Sequence, residues 1–222
     1  MTVRPFDAVI FDMDGTLVDS EPMTRVVVDR LLAQHGLPPE AVDDRDLHGV
    51  TWAAIADLLG GLHPGLQACS ADSLAADWLG LWRAEPPATV PGIEAALVAL
   101  TASGRPVALA TSSHRNAADA LVERPVFASV FDVITTAEDI ERSKPDPQIF
   151  ELAAARLGVA PDRCLVFEDS LAGLTGARAA GMGCVAVLLR SADRVRARDL
   201  SDLAVEDFTQ LPSGFFGPPQ QT

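Results

Sequence analysis

Short runs of apolar residues recur along the chain, and most of them end in polar or acidic residues. They lie at residues 7–12, 106–112, 131–136, 163–169 and 183–189. Each run is rich in Val, Ile or Phe and apolar on both faces, which is typical of parallel strands covered by helices on both sides. The pattern therefore predicts five buried strands of one sheet.

Helical patterns alternate with these strands from residue 106 onward. One helix is bounded by Asp146 as N-cap, Pro147 at the first helical position and Gly158 as the stop. Another begins directly after the fourth run and ends at Gly181. Strand, helix and strand in repetition imply right-handed crossovers, so the predicted fold class is α/β with a doubly wound, Rossmann-like parallel sheet.

Residues 19–88 show no strand pattern and instead predict helices at 21–36, 40–48, 51–60 and 70–85. The simplest organisation is a core domain of residues 1–18 and 89–222, with an α-helical domain of residues 19–88 inserted into it. An insertion at the end of the first strand is expected over the strand ends, where α/β proteins bind ligands. The Gly-, Pro- and Gln-containing tail at 212–222 is expected to be frayed.

The chain of 222 residues is acidic, with 31 Asp and Glu against 17 Lys and Arg and a net charge of -14. This sign disfavours binding to nucleic acids or to anionic membrane surfaces. There is no signal-peptide core and no uncharged apolar stretch of about 18 residues, so we expect a cytoplasmic protein that does not insert into membranes. Three widely spaced cysteines argue against a zinc or disulfide framework and agree with a reducing compartment.

Two pairs of carboxylates follow two of the predicted strands. Asp12 and Asp14 are two residues apart, so in an extended chain both project to the same side of the backbone. Glu168 and Asp169 end another uniformly apolar run. If these strands are neighbours, four carboxylates meet at one edge of the sheet, and hard oxygen ligands without His or Cys favour Mg²⁺. The alternative for the first pair is a solvated loop with polar caps.

Lys144 is the only lysine in the chain and lies between two of the strand-end motifs. Its ammonium is a compact counter-charge for carboxylate and phosphate, although a lone lysine is more often a solvated surface charge. Thr111, Ser112 and Ser113 follow the second predicted strand. Their hydroxyls and the backbone of a starting helix can hold phosphoryl oxygens, and the alternative is an ordinary N-cap.

The motifs DMDGT, TSS, SKP and FED, in this order, resemble those of the haloacid dehalogenase-like hydrolase superfamily, over nearly the whole chain. The longer segments FDMDGTLVDSEP, SKPDPQIF and FEDSLAGLTGARAAGM look like the branch that holds sugar-phosphate phosphatases and β-phosphoglucomutase. That branch has a helical cap after the first motif, so the resemblance implies a cap at residues 19–88.

The resemblance also implies a role for each motif. Asp12 would be the nucleophile and Asp14 the general acid/base, while Thr111 and Lys144 would hold the transferring phosphoryl group. The implied Mg²⁺ ligands are Asp12, the backbone carbonyl of Asp14, Asp169, and Glu168 directly or through water.

A further set of residues is implied to contact the substrate. His48, Gly49 and Trp52 fall where this family has a cap loop facing the active site, and Glu21 is a similar candidate. Ser112 is expected to contribute from the core domain. The alternative for residues 48–52 is the start of a helix.

The implied activity is that of a Mg²⁺-dependent phosphatase, which hydrolyses small phosphate esters of sugars, polyols or related metabolites through an aspartyl-phosphate. We expect a monomer, because nothing in the sequence suggests an interface. A phosphomutase is the first alternative, but Thr16 and Trp52 stand where β-phosphoglucomutase has Val and a phosphate-binding Arg. A metal-independent dehalogenase would leave Asp14 and the acidic pair at 168–169 without a purpose. A receiver-like signalling domain would not need the long helical insertion.

Overall fold

The computed structural model of the chain describes residues 3–47, 51–191 and 193–217. Its strands are β1 (Ala8–Phe11), β2 (Val107–Ala110), β3 (Val133–Thr135), β4 (Cys164–Glu168), β5 (Gly183–Val187) and β6 (Leu203–Val205). They form one parallel sheet in the order β3-β2-β1-β4-β5-β6. The predicted doubly wound α/β fold is confirmed, and the strand order reverses between β1 and β4.

Each of the five predicted runs contains a strand that is shorter than the run itself. The strands β1, β2, β4 and β5 are buried at every position, as strands covered on both faces must be. The sixth strand, β6, is not predicted by the sequence pattern. Its three residues lie at the edge of the sheet and two of them are half-buried, so they form no continuous apolar run.

The helices of the described residues are α1 (Glu21–Gln34), α2 (Trp52–Leu62), α3 (Ala71–Ala84), α4 (Ile93–Ser103), α5 (Arg115–Val122), α6 (Gln148–Leu157), α7 (Leu171–Ala179) and α8 (Arg194–Leu200). The predicted signals bound α6 to within one residue. Asp146 Oδ1 accepts from the Gln148 N–H, the N-cap position itself is Pro147, and Gly158 ends the helix with φ of 70°. Within the described part of the chain, no helix combines the length and apolar character needed to cross a bilayer.

By its internal contacts the chain divides into two compact units. The sheet unit runs up to Asp19 and resumes at Thr89, and the helical unit is Ser20–Ala88. In the sheet unit, α6 packs on β1, β2 and β3, and α7 packs on β4 and β5. In the helical unit α3 packs against both α1 and α2, and it buries Trp78 and Trp82.

The helix predicted at residues 40–48 is wrong for its described part. This part forms two short 3₁₀ turns, at Pro39–Ala41 and Asp44–Asp46. The Arg25 guanidinium donates to the carbonyls of Pro39 at 2.6 Å and Val42 at 2.8 Å, and to the Asp44 carboxylate at 3.0 Å. Because a side chain of α1 satisfies these carbonyls, the segment does not need helical hydrogen bonds.

The expectation of a frayed tail is wrong for residues 212–217. The Phe215 and Phe216 rings pack edge to face, with their centroids 5.1 Å apart. The centroid of the Phe216 ring lies 6.0 Å from that of Phe167 in β4. Arg105 donates to the carbonyls of Phe216 and Gly217 at 3.3 and 2.7 Å. Two aromatic side chains therefore anchor a segment whose composition suggests disorder, while residues 218–222 lie outside the described part.

Candidate active site

The carboxyl ends of β1 and β4 bring three acidic residues to one edge of the sheet. Phe11 is paired in register with Phe167, and the Asp12 N–H donates to the Phe167 carbonyl at 3.0 Å, so the pairing continues past the end of β1. Asp12, Glu168 and Asp169 are buried, and each offers an oxygen within 4.8 Å of the others. This edge is the point at which the strand order reverses, where doubly wound folds bind their ligands.

The turn after β1 is shaped by Gly15, whose φ of 80° favours glycine. A Cβ atom at this position would overlap the Asp169 carboxylate, so glycine is also needed for the close approach of the two strand ends. Thr16 Oγ1 donates to Asp169 Oδ1 at 3.3 Å. The DMDGT segment therefore positions the carboxylate that follows the neighbouring strand.

Lys144 is the basic residue at the centre of this cluster. Its Nζ donates to Asp12 Oδ1 at 2.6 Å, Glu168 Oε1 at 2.7 Å and the Ala110 carbonyl at 3.1 Å. Its side chain is 6% exposed. The alternative of a solvated surface lysine is therefore wrong, and the only ammonium side chain in the sequence lies between two of the acidic motifs.

Glu168 is held by donors on both carboxylate oxygens. Besides the Lys144 bond to Oε1, its Oε2 accepts from the N–H and the hydroxyl of Ser170, at 2.7 and 2.9 Å. The Ser170 hydroxyl also caps α7 by accepting from the Gly173 N–H at 3.0 Å. A Cβ atom at Gly173 would overlap the Glu168 carboxylate. Sequence reasoning missed both residues, although a Ser directly after an acidic strand end is a signal for a cap.

The buried charges shift the pKa values of Asp12 and Lys144. Burial raises the pKa of Asp12 to about 7; the charge of Lys144 opposes this rise, and the charges of Glu168 and Asp14 add to it. Burial lowers the pKa of Lys144, but Asp12 and Glu168 outweigh that effect and hold it above its ordinary value. Lys144 therefore favours the charged form of Asp12, and Asp12 and Glu168 favour the charged form of Lys144.

The donor set fits a hard divalent cation. Among the described residues, the cluster of Asp12, Glu168 and Asp169 is the one group of potential ligands close enough together to hold a metal ion, and all its donors are oxygens. These three carboxylates outnumber the single ammonium of Lys144. A buried excess of negative charge is costly unless a cation compensates it.

The segment after β2 places its three hydroxyl residues differently. Thr111 is fully buried, and its Oγ1 accepts from the Ser113 N–H at 3.0 Å. Ser112 is exposed. Ser113 Oγ donates to Asp14 Oδ2 at 2.7 Å. The N-cap of α5 is His114, so the N-cap alternative does not describe these three residues, and the residue in contact with Asp14 was given no role of its own in the sequence reasoning.

The remaining candidates belong to the helical unit. Glu21 and Trp52 are the first residues of α1 and α2, and both are half-buried. Thr51 accepts from the Ala54 N–H at 3.3 Å as the N-cap of α2, so the end of the 48–52 segment is a helix start. The Trp52 ring packs 6.4 Å from Trp78 of α3. His48 and Gly49 lie outside the described residues.

Comparison with known proteins agrees with this geometry. The family model for haloacid dehalogenase-like hydrolases matches residues 6–181. The chain is 31% identical to the validoxylamine A 7'-phosphate phosphatase of Streptomyces hygroscopicus subsp. limoneus, over 96% of this chain and 99% of that protein. It is 35% identical to the fructose-1-phosphate phosphatase YqaB of Escherichia coli K12, over 83% and 97%.

Among solved structures, the haloacid dehalogenase family hydrolase of Deinococcus radiodurans R1, which was crystallised with bound phosphate and sodium, is similar to this chain. It superposes with a TM-score of 0.75 at 25% identity, over 96% of this chain and 99% of that one. The family match covers most of the chain, and the named phosphatases align over nearly their whole lengths. The chain therefore belongs to the haloacid dehalogenase-like hydrolase family.

Proposed function

We propose that this protein is a Mg²⁺-dependent phosphatase that hydrolyses small phosphate monoesters through a phosphorylated Asp12. The observation that carries this proposal is the position of Lys144 Nζ, 2.6 Å from Asp12 and 2.7 Å from Glu168 at the edge of the sheet where Asp169 completes the acidic cluster. Relatives that are named phosphatases support hydrolysis of a phosphoric monoester.

A carboxylate is a weak nucleophile toward a phosphate dianion, because both are negatively charged. The Lys144 ammonium offsets part of this repulsion and stabilises the charge on the equatorial oxygens of the phosphoryl group. Mg²⁺, when bound by Asp12, Asp169 and the backbone carbonyl of Asp14, supplies the remaining charge neutralisation. Glu168 already accepts from Lys144 and Ser170, so we assign it to orienting Lys144 and to contacting the ion through water.

The reaction proceeds in two steps at Asp12. In the first, an Asp12 oxygen attacks phosphorus, the bond from phosphorus to the leaving oxygen breaks, and Asp14 gives its proton to that oxygen. In the second, Asp14 takes a proton from water as the water attacks phosphorus, the acyl-phosphate bond breaks, and inorganic phosphate leaves. Thr111 and Lys144 hold the phosphoryl group in both steps.

The substrate class that we propose is phosphorylated sugars and polyols. Two relatives are named for validoxylamine A 7'-phosphate and for fructose 1-phosphate. We assign substrate selection to Glu21, His48, Gly49 and Trp52 of the helical insertion, together with Ser112. We also propose that the protein acts as a cytoplasmic monomer, without nucleic-acid or membrane partners.

A phosphate-release screen over several dozen phosphorylated metabolites, with Mg²⁺ or with a chelator, tests this function. We expect turnover of one or more sugar or polyol phosphates, its loss in chelator, and its loss in Asp12→Asn. Asp199→Asn, on the exposed surface of α8, is the matched control and should keep full activity. Absence of phosphate release from every compound would contradict the proposal.

A second assay separates hydrolysis from phosphoryl migration. The protein is incubated with β-glucose 1-phosphate and glucose 1,6-bisphosphate in the presence of Mg²⁺. Glucose 6-phosphate without free phosphate would favour the phosphomutase alternative, whereas free phosphate is the expected product.

A further inference from the structure

Ser113 is held by three hydrogen bonds, one from its hydroxyl and two from its main chain. Its Oγ donates to Asp14 Oδ2 at 2.7 Å, its N–H donates to Thr111 Oγ1 at 3.0 Å, and its carbonyl accepts from the Ala137 N–H at 3.2 Å. The backbone of Ser113 is therefore held on both sides by neighbouring segments. Its side chain has a set position from which to reach Asp14.

The loop that carries Ser113 is tied to the loop that follows β3. The Thr111 N–H donates to the Thr135 carbonyl at 3.1 Å, which continues the pairing of β2 with β3. Beyond Ser113, the Glu138 carboxylate accepts from the Arg115 N–H at 3.1 Å and pairs with His114 Nδ1 at 2.9 Å. Two neighbouring loops thus form one framework around the donor atom.

Asp14, in contrast, lies on the turn between Asp12 and Gly15 and is half-buried. A carboxyl group on such a turn has several rotamers available. A short hydrogen bond from a hydroxyl on a fixed framework favours one of them, and such bonds to a carboxylate are among the stronger ones. A single rotamer suits proton transfer, because the efficiency of the transfer depends on the position of the Asp14 carboxyl group relative to the leaving oxygen.

We propose that Ser113 is a positioning residue that aims the carboxyl group of Asp14 at the leaving oxygen of the substrate. This inference rests on the proposed phosphatase function. Ser113 acts through Asp14 and needs no contact with the phosphoryl group. Its loss therefore impairs the reaction of esters whose leaving oxygen must be protonated, and spares esters whose leaving group departs as an anion.

The test compares two substrates in wild type, Ser113→Ala, Ser113→Thr and Ser113→Val. One substrate is the sugar phosphate that the screen finds to be hydrolysed fastest, and the other is p-nitrophenyl phosphate, whose leaving group departs without protonation. The measured quantity is kcat/KM, because it reports on the first step. For Ser113→Ala and Ser113→Val we expect a loss of about tenfold or more with the sugar phosphate and less than about threefold with p-nitrophenyl phosphate.

Ser113→Thr keeps the hydroxyl and should retain kcat/KM with the sugar phosphate. Ser113→Val has nearly the shape of the Thr variant but lacks the hydroxyl, so it should lose kcat/KM with this substrate. Ser103→Ala is the matched control, because it removes a hydroxyl that donates to the Leu100 carbonyl in the last turn of α4. It should leave both substrates unaffected. Melting temperatures of all variants separate loss of positioning from loss of folding.

Several results would overturn the inference. These are equal losses with both substrates, no loss in Ser113→Ala, a Thr variant no better than the Val variant, or failure of all three variants to fold. If wild type hydrolyses neither substrate, the proposed function itself fails. Activity of wild type together with any of the preceding results overturns the role of Ser113 alone.

Discussion

Lys144 Nζ lies 2.6 Å from Asp12 Oδ1, and the two side chains are only 6% and 9% exposed. A buried ion pair of this kind is destabilising to break, because the remaining partner is left uncompensated. The same ammonium also contacts Glu168 at 2.7 Å. Stability and activity of this protein should therefore depend on one lysine.

Replacing Lys144 by Met should lower kcat at least about 100-fold, because the charge that we propose to stabilise the phosphoryl oxygens is lost. The free energy of unfolding in chelator should fall by about 3 kcal/mol, because Asp12 and Glu168 lose a shared partner. Steady-state kinetics and urea titration measure the two effects. Arg142→Met removes an exposed cation two residues away and should change neither kcat nor the free energy of unfolding. A kcat in Lys144→Met equal to that of wild type would refute the role of the ammonium.

Gly173→Ala should impair the site through Glu168. The added Cβ overlaps the Glu168 carboxylate, so that carboxylate and the Lys144 ammonium bound to it must shift. We expect a loss of stability of about 1–3 kcal/mol and a clear fall in kcat. The control is Gly80→Ala in α3, where a Cβ meets open space and helix propensity favours alanine. Equal behaviour of the two variants would mean that the packing around Gly173 does not matter.

Stabilisation by Mg²⁺ should grow with pH. The pKa of Asp12 in the metal-free fold is about 7, above the ordinary value of 3.8. The contribution of Asp12 to the free energy of unfolding is therefore fully present below pH 3.8, and it is lost as the pH rises through 7. In the proposed function, Mg²⁺ is bound by the ionised Asp12 carboxylate and should offset this loss.

Thermal denaturation with Mg²⁺ or chelator, at pH values on both sides of 7, measures the shift in melting temperature. The shift should be larger above pH 7 in wild type and in Asp199→Asn. In Asp12→Asn it should be small and independent of pH. A shift in wild type that is constant across this range would argue against Asp12 as a ligand.

Phe216→Ala should destabilise the protein by about 3 kcal/mol, because a nearly buried ring is removed from contact with Phe167 and Phe215. Urea titration measures the change. Val195→Ala, at a side chain that is 69% exposed on α8, should be close to neutral. A neutral Phe216→Ala would mean that the tail does not pack on the sheet in solution.

Thiol labelling should distinguish the three cysteines. Burial raises the pKa of Cys164 to about 11 and that of Cys184 to about 12, so few thiolates form at neutral pH. Cys69 is half-buried and should react first. Mass spectrometry after brief labelling should find one modification in the native protein and three in urea, and prompt labelling of Cys184 in the native state would contradict the buried fold.

The alternation of strands and helices could be read from local signals. The local signals were the apolar runs, the stop at Gly158 and the acidic strand ends, all of which are properties of short stretches of chain. They predicted the α/β fold and the carboxylates of the candidate metal site. The sequence alone also singled out Lys144, because no other lysine is present. Weak local signals failed, as at β6 and at the two 3₁₀ turns held by Arg25.

Only the tertiary structure decided which of these residues touch. The hydroxyl of Ser113 donates to Asp14, which lies 99 positions earlier in the chain. The ring of Phe216 packs near that of Phe167 because the tail folds back onto β4. Gly173 is required by the proximity of a carboxylate rather than by its own backbone conformation. Composition and periodicity report how each segment prefers to fold, whereas these contacts depend on distances in space between segments that are remote in sequence.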